Sequence, residues 1–407
     1  MRVLIDGQTL LTPEINRGIG TYFMNVTENI LENDFTNEYY INVMHARQLE
    51  RLPRWSREML NVIVNETYDP QLCHGSRREY HSERYSEQLN EDLTSRGIDV
   101  YWSPNALMDN VFLPSRKANC KFAVTIYDLI VLIMEDAYTT DQGPDLIRRL
   151  KSKLKTLQRD YDLFLHISNS TKSDFTSNLD VADKTHAVTM LAARKSFHPN
   201  IFPETGVTQK YVLYIGGFDP RKNMRRAVEA FARLQNKHSQ GSEIKNTRLL
   251  IVCHGDQAAK ESLLHHAKSL GIEKNLILTG FVDDPGLLSL YQKARCFFFP
   301  SLYEGFGLPV LEALACGLPV TVANISSLTE VGGEFATYFD PYNVDEMADA
   351  LYNVLQEPTD YASRMRRYEY SKKFSWQRTA LEILRVFKNL ATSMPEKLAE
   401  PRQTLDA

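Results

Sequence analysis

Two short segments of this chain concentrate residue types that can hold an anion and a polyol. In Gly216-Gly217-Phe218-Asp219-Pro220-Arg221-Lys222-Asn223 a pair of glycines precedes two cations. Met224, Ala227, Val228, Phe231 and Leu234 then keep a helical period, with Asn223 as the expected cap. Cations at a helix N-terminus oppose its macrodipole by about 0.3–1 kcal/mol each unless an anion sits there. Close backbone at Gly217 with Arg221 and Lys222 therefore reads as a diphosphate site. Each charge-assisted hydrogen bond there is worth roughly 1.5–3 kcal/mol and stabilises charge on a departing group. The competing reading is a surface turn with solvated cations.

The second segment, Glu304-Gly305-Phe306-Gly307-Leu308-Pro309-Val310-Leu311-Glu312, follows the apolar run Phe297–Phe299. Pro309 suits the first turn of a helix, so free N–H groups around Gly307 would face a ligand. The Glu-x7-Glu spacing presents two carboxylates that can accept hydrogen bonds from sugar hydroxyls. Taken alone, Glu312 would merely complement the helix dipole and Glu304 would be solvated. A third segment, Phe122 to Asp128, reads as a strand that delivers Tyr127 and Asp128 to its carboxyl end. The phenol of Tyr127 can donate and accept a hydrogen bond, but with an ordinary pKa near ~10 it is a poor general base.

Short β-rich runs must position these loops. RVLID, YYINVM, NVIV, VYWS, KFAVTIYD, LFLHIS and HAVTML alternate with amphipathic segments, and after residues 198–209 the series YVLYIG, RLLIVC, NLILTGF, CFFFPS and LPVTVA begins. Strands alternating with helices predict mostly parallel sheets. The expected fold is α/β, two doubly wound Rossmann-like domains facing a cleft lined by strand-to-helix loops. The boundaries are an N-terminal domain at 1–197, a linker at 198–209, a C-terminal domain at 210–375, and a crossing helix with a polar tail at 376–407. In that helix Trp376, Ala380, Ile383, Leu384 and Phe387 share one face, so deleting it should cost stability more than chemistry.

Composition narrows the function classes. The 407 residues are 43% hydrophobic and 24% charged with a net charge of −4, which excludes general disorder and gives no electrostatic reason to hold nucleic acid. Five scattered cysteines (73, 120, 253, 296 and 316) indicate neither a disulfide framework nor a metal knuckle, and fit a reduced cytoplasm. Neither a signal peptide nor a spanning segment is expected. Gly18-Ile19-Gly20 is not a dinucleotide fingerprint, because Phe23 stands at the third glycine position and eleven residues separate Asp6 from Gly18. His74, His81, His186, His238, His265 and His266 show no metal-ligand spacing. Arg148, Arg149, Lys151, Lys153, Lys155 and Arg159 form a basic stripe in 146–159, read as the solvated face of an ordinary helix, with peripheral contact to anionic lipid or a lipid-linked diphosphate as the alternative.

Four motifs, EGFGLPVLE (304–312), GGFDPRKN (216–223), SSLTEVGGEFATYFDP (326–341) and RGIGTY (17–22), resemble the retaining nucleotide-sugar glycosyltransferases of family 4, which have the GT-B fold. The resemblance is to bacterial mannosyltransferase-like members and covers nearly the whole chain. It implies that Arg221 and Lys222 bind the diphosphate, Glu304 contacts donor-sugar hydroxyls, and Glu312 holds the ribose. Backbone at Gly305, Phe306, Gly307 and Leu308 would approach sugar and phosphates, the Gly18–Gly20 loop would close over them, and the nucleobase would lie near Val282. Asp128 would face the acceptor. Tyr127 stands where a histidine that contacts the donor sugar is usual and so is expected to bind the donor, Arg194 stands where an acid is common, and His254-Gly255 replace part of a glycine pattern.

What the resemblance implies is metal-independent transfer of a hexose from a GDP- or UDP-linked donor to a hydroxyl of a glycan or lipid-linked acceptor, with retention, in bacterial surface polysaccharide synthesis. No cofactor or metal is expected. The alternative is a weakened pseudo-glycosyltransferase that binds nucleotide sugar or a partner enzyme. Glu330 is expected to close a capping box with Ser327.

Overall fold

A computed structural model describes residues 1–65, 76–138, 143–199, 211–238, 242–253 and 255–393. The stretch 200–209 expected as a linker, Cys73, His74, His254 and the tail from 394 lie outside the described residues.

Every run read as a strand is one. β1 (Arg2–Asp6), β2 (Glu38–Val43), β3 (Asn61–Val64), β4 (Val100–Ser103), β5 (Lys121–Ile126), β6 (Leu163–His166) and β7 (Thr185–Val188) form a parallel sheet in the order β3-β2-β1-β4-β5-β6-β7. A second parallel sheet holds β8 (Tyr211–Ile215), β9 (Arg248–Val252), β10 (Leu276–Thr279), β11 (Cys296–Phe299), β12 (Val320–Ala323) and β13 (Ala336–Phe339) in the order β10-β9-β8-β11-β12-β13. The central strands β4, β11 and β12 are buried along their whole length, as strands covered on both faces must be. β13 was not anticipated. It is an edge strand with three of its four residues half-buried, so it lacks the apolar run that marks its neighbours.

Strand order reverses between β1 and β4 and between β8 and β11, and at such switch points the loops leaving the carboxyl ends splay apart to leave a crevice. The loops at 216–223 and 300–307 leave β8 and β11, so the second crevice receives both charged motifs.

The Trp376–Thr392 helix packs against residues of the N-terminal half. Trp376 Nε1 donates to the Ala193 carbonyl at 3.2 Å, and its ring meets Tyr22 at 6.2 Å. Phe387 packs edge-on against Trp102 at 6.0 Å between ring centres.

Three local expectations are corrected. Gly18 and Gly20 do not form a loop over the cleft; they open the Gly18–Asn33 helix, and a Cβ on Gly20 would lie 2.0 Å from the Ile15 carbonyl oxygen. Asn223 stands at the cap position of the Met224–Lys237 helix in the left-handed region (φ 58°), but its side chain does not cap. Its amide instead donates to the carbonyls of Pro300 (3.0 Å) and Pro341 (2.7 Å), tying the two motif loops together. Ser327 makes no capping box with Glu330, because its hydroxyl donates to the Glu304 carbonyl at 2.9 Å.

Five of the six cations in the basic stripe pair within the chain. On the Gly143–Asp160 helix, Lys153 Nζ donates to the carbonyls of Ala106 (2.9 Å), Met108 (2.5 Å) and Val111 (2.6 Å). Arg149 pairs with Asp109 at 2.8 Å, Lys151 with Glu135 at 2.8 Å, Arg148 with Asp145 at 2.9 Å and Arg159 with Asp160 at 2.8 Å. These partners lie mostly outside the stripe, where sequence periodicity does not reach. No helix among the described residues is long and apolar enough to cross a membrane.

Candidate active site

The two motif loops converge on one carboxylate. Arg221 and Lys222 stand in the short turn Pro220–Lys222. Arg221 Nη1 donates to Glu304 Oε1 at 2.9 Å and to the Tyr303 carbonyl at 3.3 Å, while Lys222 Nζ reaches the same Oε1 at 2.5 Å. Asp219 anchors the Arg221 guanidinium from behind at 3.2 Å.

The charges set one another. Burial lifts the Glu304 carboxyl, but Lys222 and Arg221 outweigh it and hold the group below the ordinary carboxylate range. Burial pulls the Lys222 ammonium below its usual value against the attraction of Glu304. Arg221 is desolvated too, yet Glu304, Asp219 and Asp128 keep it firmly protonated.

Gly307, with φ 95°, turns the chain into the Leu308–Ala315 helix with Pro309 in its first turn. Gly305 permits a close approach between the halves of the molecule. A Cβ there would fall 2.2 Å from the Tyr127 carbonyl oxygen and 3.0 Å from the Asp128 Cβ. The Gly305 carbonyl accepts from Ser168 Oγ at 2.7 Å and Thr171 Oγ1 at 3.1 Å. Asp128 is thereby held across from Glu304. Burial raises its pKa, partly offset by the Ile130 N–H (3.1 Å) and Arg221.

Of the other expected site residues, Phe306 is buried and packs edge-on against Phe374 at 6.0 Å, so only its backbone is free to meet a ligand. Gly217 and Leu308 are half-buried in the two loops. Val282 lies between β10 and the Asp284–Lys293 helix, next to the exposed ring of Phe281. Tyr127 packs edge-on against Tyr22 at 5.4 Å, and its hydroxyl is buried without a partner.

Glu312 does not share a partner with Glu304. Arg194 Nε approaches Glu312 Oε1 at 3.3 Å while its Nη1 bonds Asp284 Oδ1 at 2.6 Å, and Tyr291 donates to Glu312 Oε2 at 3.3 Å. Burial still pushes the Glu312 carboxyl up to about 7, with Arg194 and Tyr291 offsetting part of it.

Sequence reasoning marked Arg194 as unusual and missed that it answers Glu312. It also missed a clasp. Glu330, expected to cap its own helix, accepts from Asn169 N (2.9 Å), Asn169 Nδ2 (2.8 Å) and Ser170 N (2.7 Å), so it caps the Asn169–Asn178 helix of the N-terminal half. Tyr303 donates to Asp174 and Tyr138 to Asp219 (3.3 Å) across the same interface. No sequence signal pairs residues so far apart.

Residues 199–374 match the family model described as Glycosyl transferases group 1. The matched stretch lies in the C-terminal half of the chain. It contains Arg221, Lys222, Glu304 and Glu312. The chain is 28% identical over 301 residues to O-antigen chain mannosyltransferase B of Escherichia coli, covering 72% of this chain and 74% of that one. It is also 28% identical to the serotype-specific mannosyltransferase WbdA of Escherichia coli, an alignment that takes in all of this chain and 50% of WbdA. Among solved structures, sucrose-phosphate synthase from Thermosynechococcus elongatus superposes with a TM-score of 0.71 at 17% identity, over 97% of this chain and 100% of that one. That likeness bears on the fold, which is GT-B: two Rossmann-like domains on either side of a crevice. Among the described residues no group of His, Cys, Asp and Glu is arranged to hold a metal.

Proposed function

We propose that this chain transfers a hexosyl group, with retention and without a metal, from a nucleoside-diphosphate sugar to a hydroxyl of a glycan or lipid-linked acceptor in surface polysaccharide synthesis. GDP-mannose is the favoured donor, in keeping with the mannosyltransferases it resembles, and UDP-glucose-type donors are the alternative. The observation that carries this reading is the convergence of Arg221 and Lys222 on the Glu304 carboxylate at the β8/β11 switch point, opposite Asp128.

An anion already sits on the two cations, and it is the chain's own. A donor diphosphate would take the place of the Glu304 carboxylate on Arg221 and Lys222 and release that carboxylate to the sugar hydroxyls beside it. The cations then stabilise charge on the leaving diphosphate inside a site from which closure excludes water. Glu312 would exchange Arg194 for a ribose hydroxyl, and the close seam at Gly305 would bring Asp128 to the acceptor. The buried, unbridged cysteines 120, 253, 296 and 316 suit a reducing compartment, which supports a cytoplasmic reaction.

The test is a donor panel of GDP-mannose, UDP-glucose, UDP-galactose and UDP-N-acetylglucosamine, read by thermal shift and nucleotide release. A donor at 100 times its dissociation constant stabilises by about 2.7 kcal/mol. One donor should shift the melt and release nucleotide in wild type, with release lost in Glu304→Ala and retained in EDTA. Binding without release, with candidate acceptors present, would favour a nucleotide-sugar-binding pseudoenzyme, consistent with the partnerless hydroxyl of Tyr127.

A further inference from the structure

The charged crevice at β8 and β11 has an apolar counterpart in the N-terminal half. Past the carboxyl ends of β4 and β5, beside the start of the Gly18–Asn33 helix, lies a cavity of about 230 Å³ whose wall includes Asp128. Ile19, Met108, Ile130, Val131, Leu146 and Leu150 form most of the remaining wall. Ile19, Met108, Val131 and Leu146 are only half-buried, so the free chain turns hydrocarbon toward water here. Directly after Asp128 the sequence runs Leu129-Ile130-Val131-Leu132-Ile133-Met134, with no polar residue among the six. The first two are buried, and the run then surfaces: Val131, Leu132 and Met134 are half-buried and Ile133 is 39% exposed. An apolar lip thus continues the apolar cavity through Val131, and contiguous surface of this kind marks a place where something apolar docks.

The cavity is formed in advance of any ligand. Lys153 fixes the loop that carries Met108 through the carbonyls of Ala106, Met108 and Val111, and Arg149 ties down Asp109 in the same loop. A wall already ordered costs an occupant little to engage. The polar groups of the wall are engaged or sealed. Thr125 Oγ1 accepts from Trp102 Nε1 at 3.1 Å, Asp109 holds Arg149, and Asp128 Oδ1 accepts from the Ile130 N–H at 3.1 Å. The amide nitrogen of Asn105 and the hydroxyl of Tyr127 are shut off from solvent, so neither offers a hydrogen bond to an occupant.

These walls restrict what the occupant is. A hexose ring placed here would strand its hydroxyls against leucine, isoleucine and methionine. The single methyl of a deoxy sugar would leave most of the space unfilled. A hydrocarbon chain suits both the walls and the volume. An apolar cavity of about 150 Å³ holds benzene, so this one has room for roughly six to nine carbons, and the lip at Val131 and Ile133 carries the apolar surface outward for a longer chain. Asp128 borders the cavity and stands across from Glu304, so the occupant is tethered to whatever hydroxyl reaches Asp128. We propose that this cavity is an acceptor subsite for a hydrocarbon chain, carried on the acceptor close to the hydroxyl that receives the transferred hexose. The inference rests on the reading that Asp128 faces the acceptor.

The experiment measures dissociation constants for butyl, hexyl, octyl, decyl and dodecyl glucosides and mannosides by ligand-observed NMR, each below the concentration at which it forms micelles. A fully buried methylene is worth about fourfold in affinity, and this partly open wall should return about threefold. Octyl chains should therefore bind at least about thirtyfold more tightly than butyl chains, whereas decyl and dodecyl should differ by less than about threefold because the cavity is already full. Val131→Asn and Leu146→Gln, which put an amide into the wall from two different elements, should each bring the butyl-to-octyl ratio below about tenfold. Should one variant fail to fold, the other carries the test. Affinity that does not depend on chain length overturns the proposal, as does a ratio that survives in both variants. A gain per methylene that continues undiminished to dodecyl also overturns it, since an open surface and not a bounded cavity would then be binding. The outcomes separate from those of the donor panel. Chain-length-dependent binding without nucleotide release from any donor refutes the transferase reading alone, whereas turnover whose KM is the same for butyl and octyl glycosides refutes this one alone.

Discussion

Removing the Glu304 carboxylate should destabilise the free protein and strengthen its grip on pyrophosphate. The Arg221, Lys222 and Glu304 side chains are 18%, 14% and 11% exposed, so water screens little of their charge. Removing one partner of a buried ion pair costs about 3–5 kcal/mol, because the charge left behind stays desolvated. Glu304→Ala belongs at the lower end, about 3 kcal/mol, since Asp219 still holds Arg221 at 3.2 Å and Lys222 alone is stranded. At roughly 2–4 °C per kcal/mol for a unit of this domain's size, the first melting transition should fall by about 6–12 °C. Burial already lowers the Lys222 pKa, and losing Glu304 lowers it further. The folded variant then binds fewer protons than the unfolded chain, so its deficit should shrink as pH rises toward the ordinary lysine value. Pyrophosphate must displace Glu304 in wild type but finds two waiting cations in the variant. Calorimetry should show its affinity rising at least tenfold while nucleotide release from donor is lost. An unchanged melt together with pyrophosphate affinity equal to or below wild type would refute the reasoning.

Three further perturbations follow from contacts elsewhere. Because burial lifts Glu312 from 4.5 to about 7, the folded chain keeps a proton that the unfolded chain has lost between those values. Stability should fall by about 3 kcal/mol as pH rises through that window, and Glu312→Gln should flatten the dependence seen in denaturant midpoints; identical slopes would remove the assignment. Lys153→Met should cost about 1–3 kcal/mol and speed amide exchange in residues 106–111, with Lys153→Arg restoring part of it; liposome co-sedimentation should not change, and a change would revive the lipid-facing reading of the stripe. Glu330→Ala should cost about 1 kcal/mol as a lost helix cap and loosen the two halves. Small-angle scattering would show this as a larger radius of gyration, and an unaltered radius would mean the clasp does not hold them together.

Much of the fold was legible because its signals are local. Short apolar runs between amphipathic segments mark parallel strands whatever their eventual neighbours, so twelve of the thirteen described strands could be placed from sequence and β13, a half-exposed edge, could not. Pro309 and Gly307 announced a helix N-terminus in the same way, since fixed φ and freedom at positive φ are properties of single residues. The Gly18–Gly20 segment misled, because glycine favours a loop but here serves close packing of a helix on the Ile15 backbone.

The sequence by itself determined the element types, the two-domain division, and the two loops that bring cations and carboxylates to one crevice. Only the tertiary structure decided how those charges pair: Glu304 with Arg221 and Lys222, Glu312 with Arg194, Glu330 with the helix at Asn169, Lys153 with three loop carbonyls. A propensity or a turn is set by forces acting over a few residues. An ion pair depends on which distant loops the sheets bring within about 3 Å, and on how much water their packing removes.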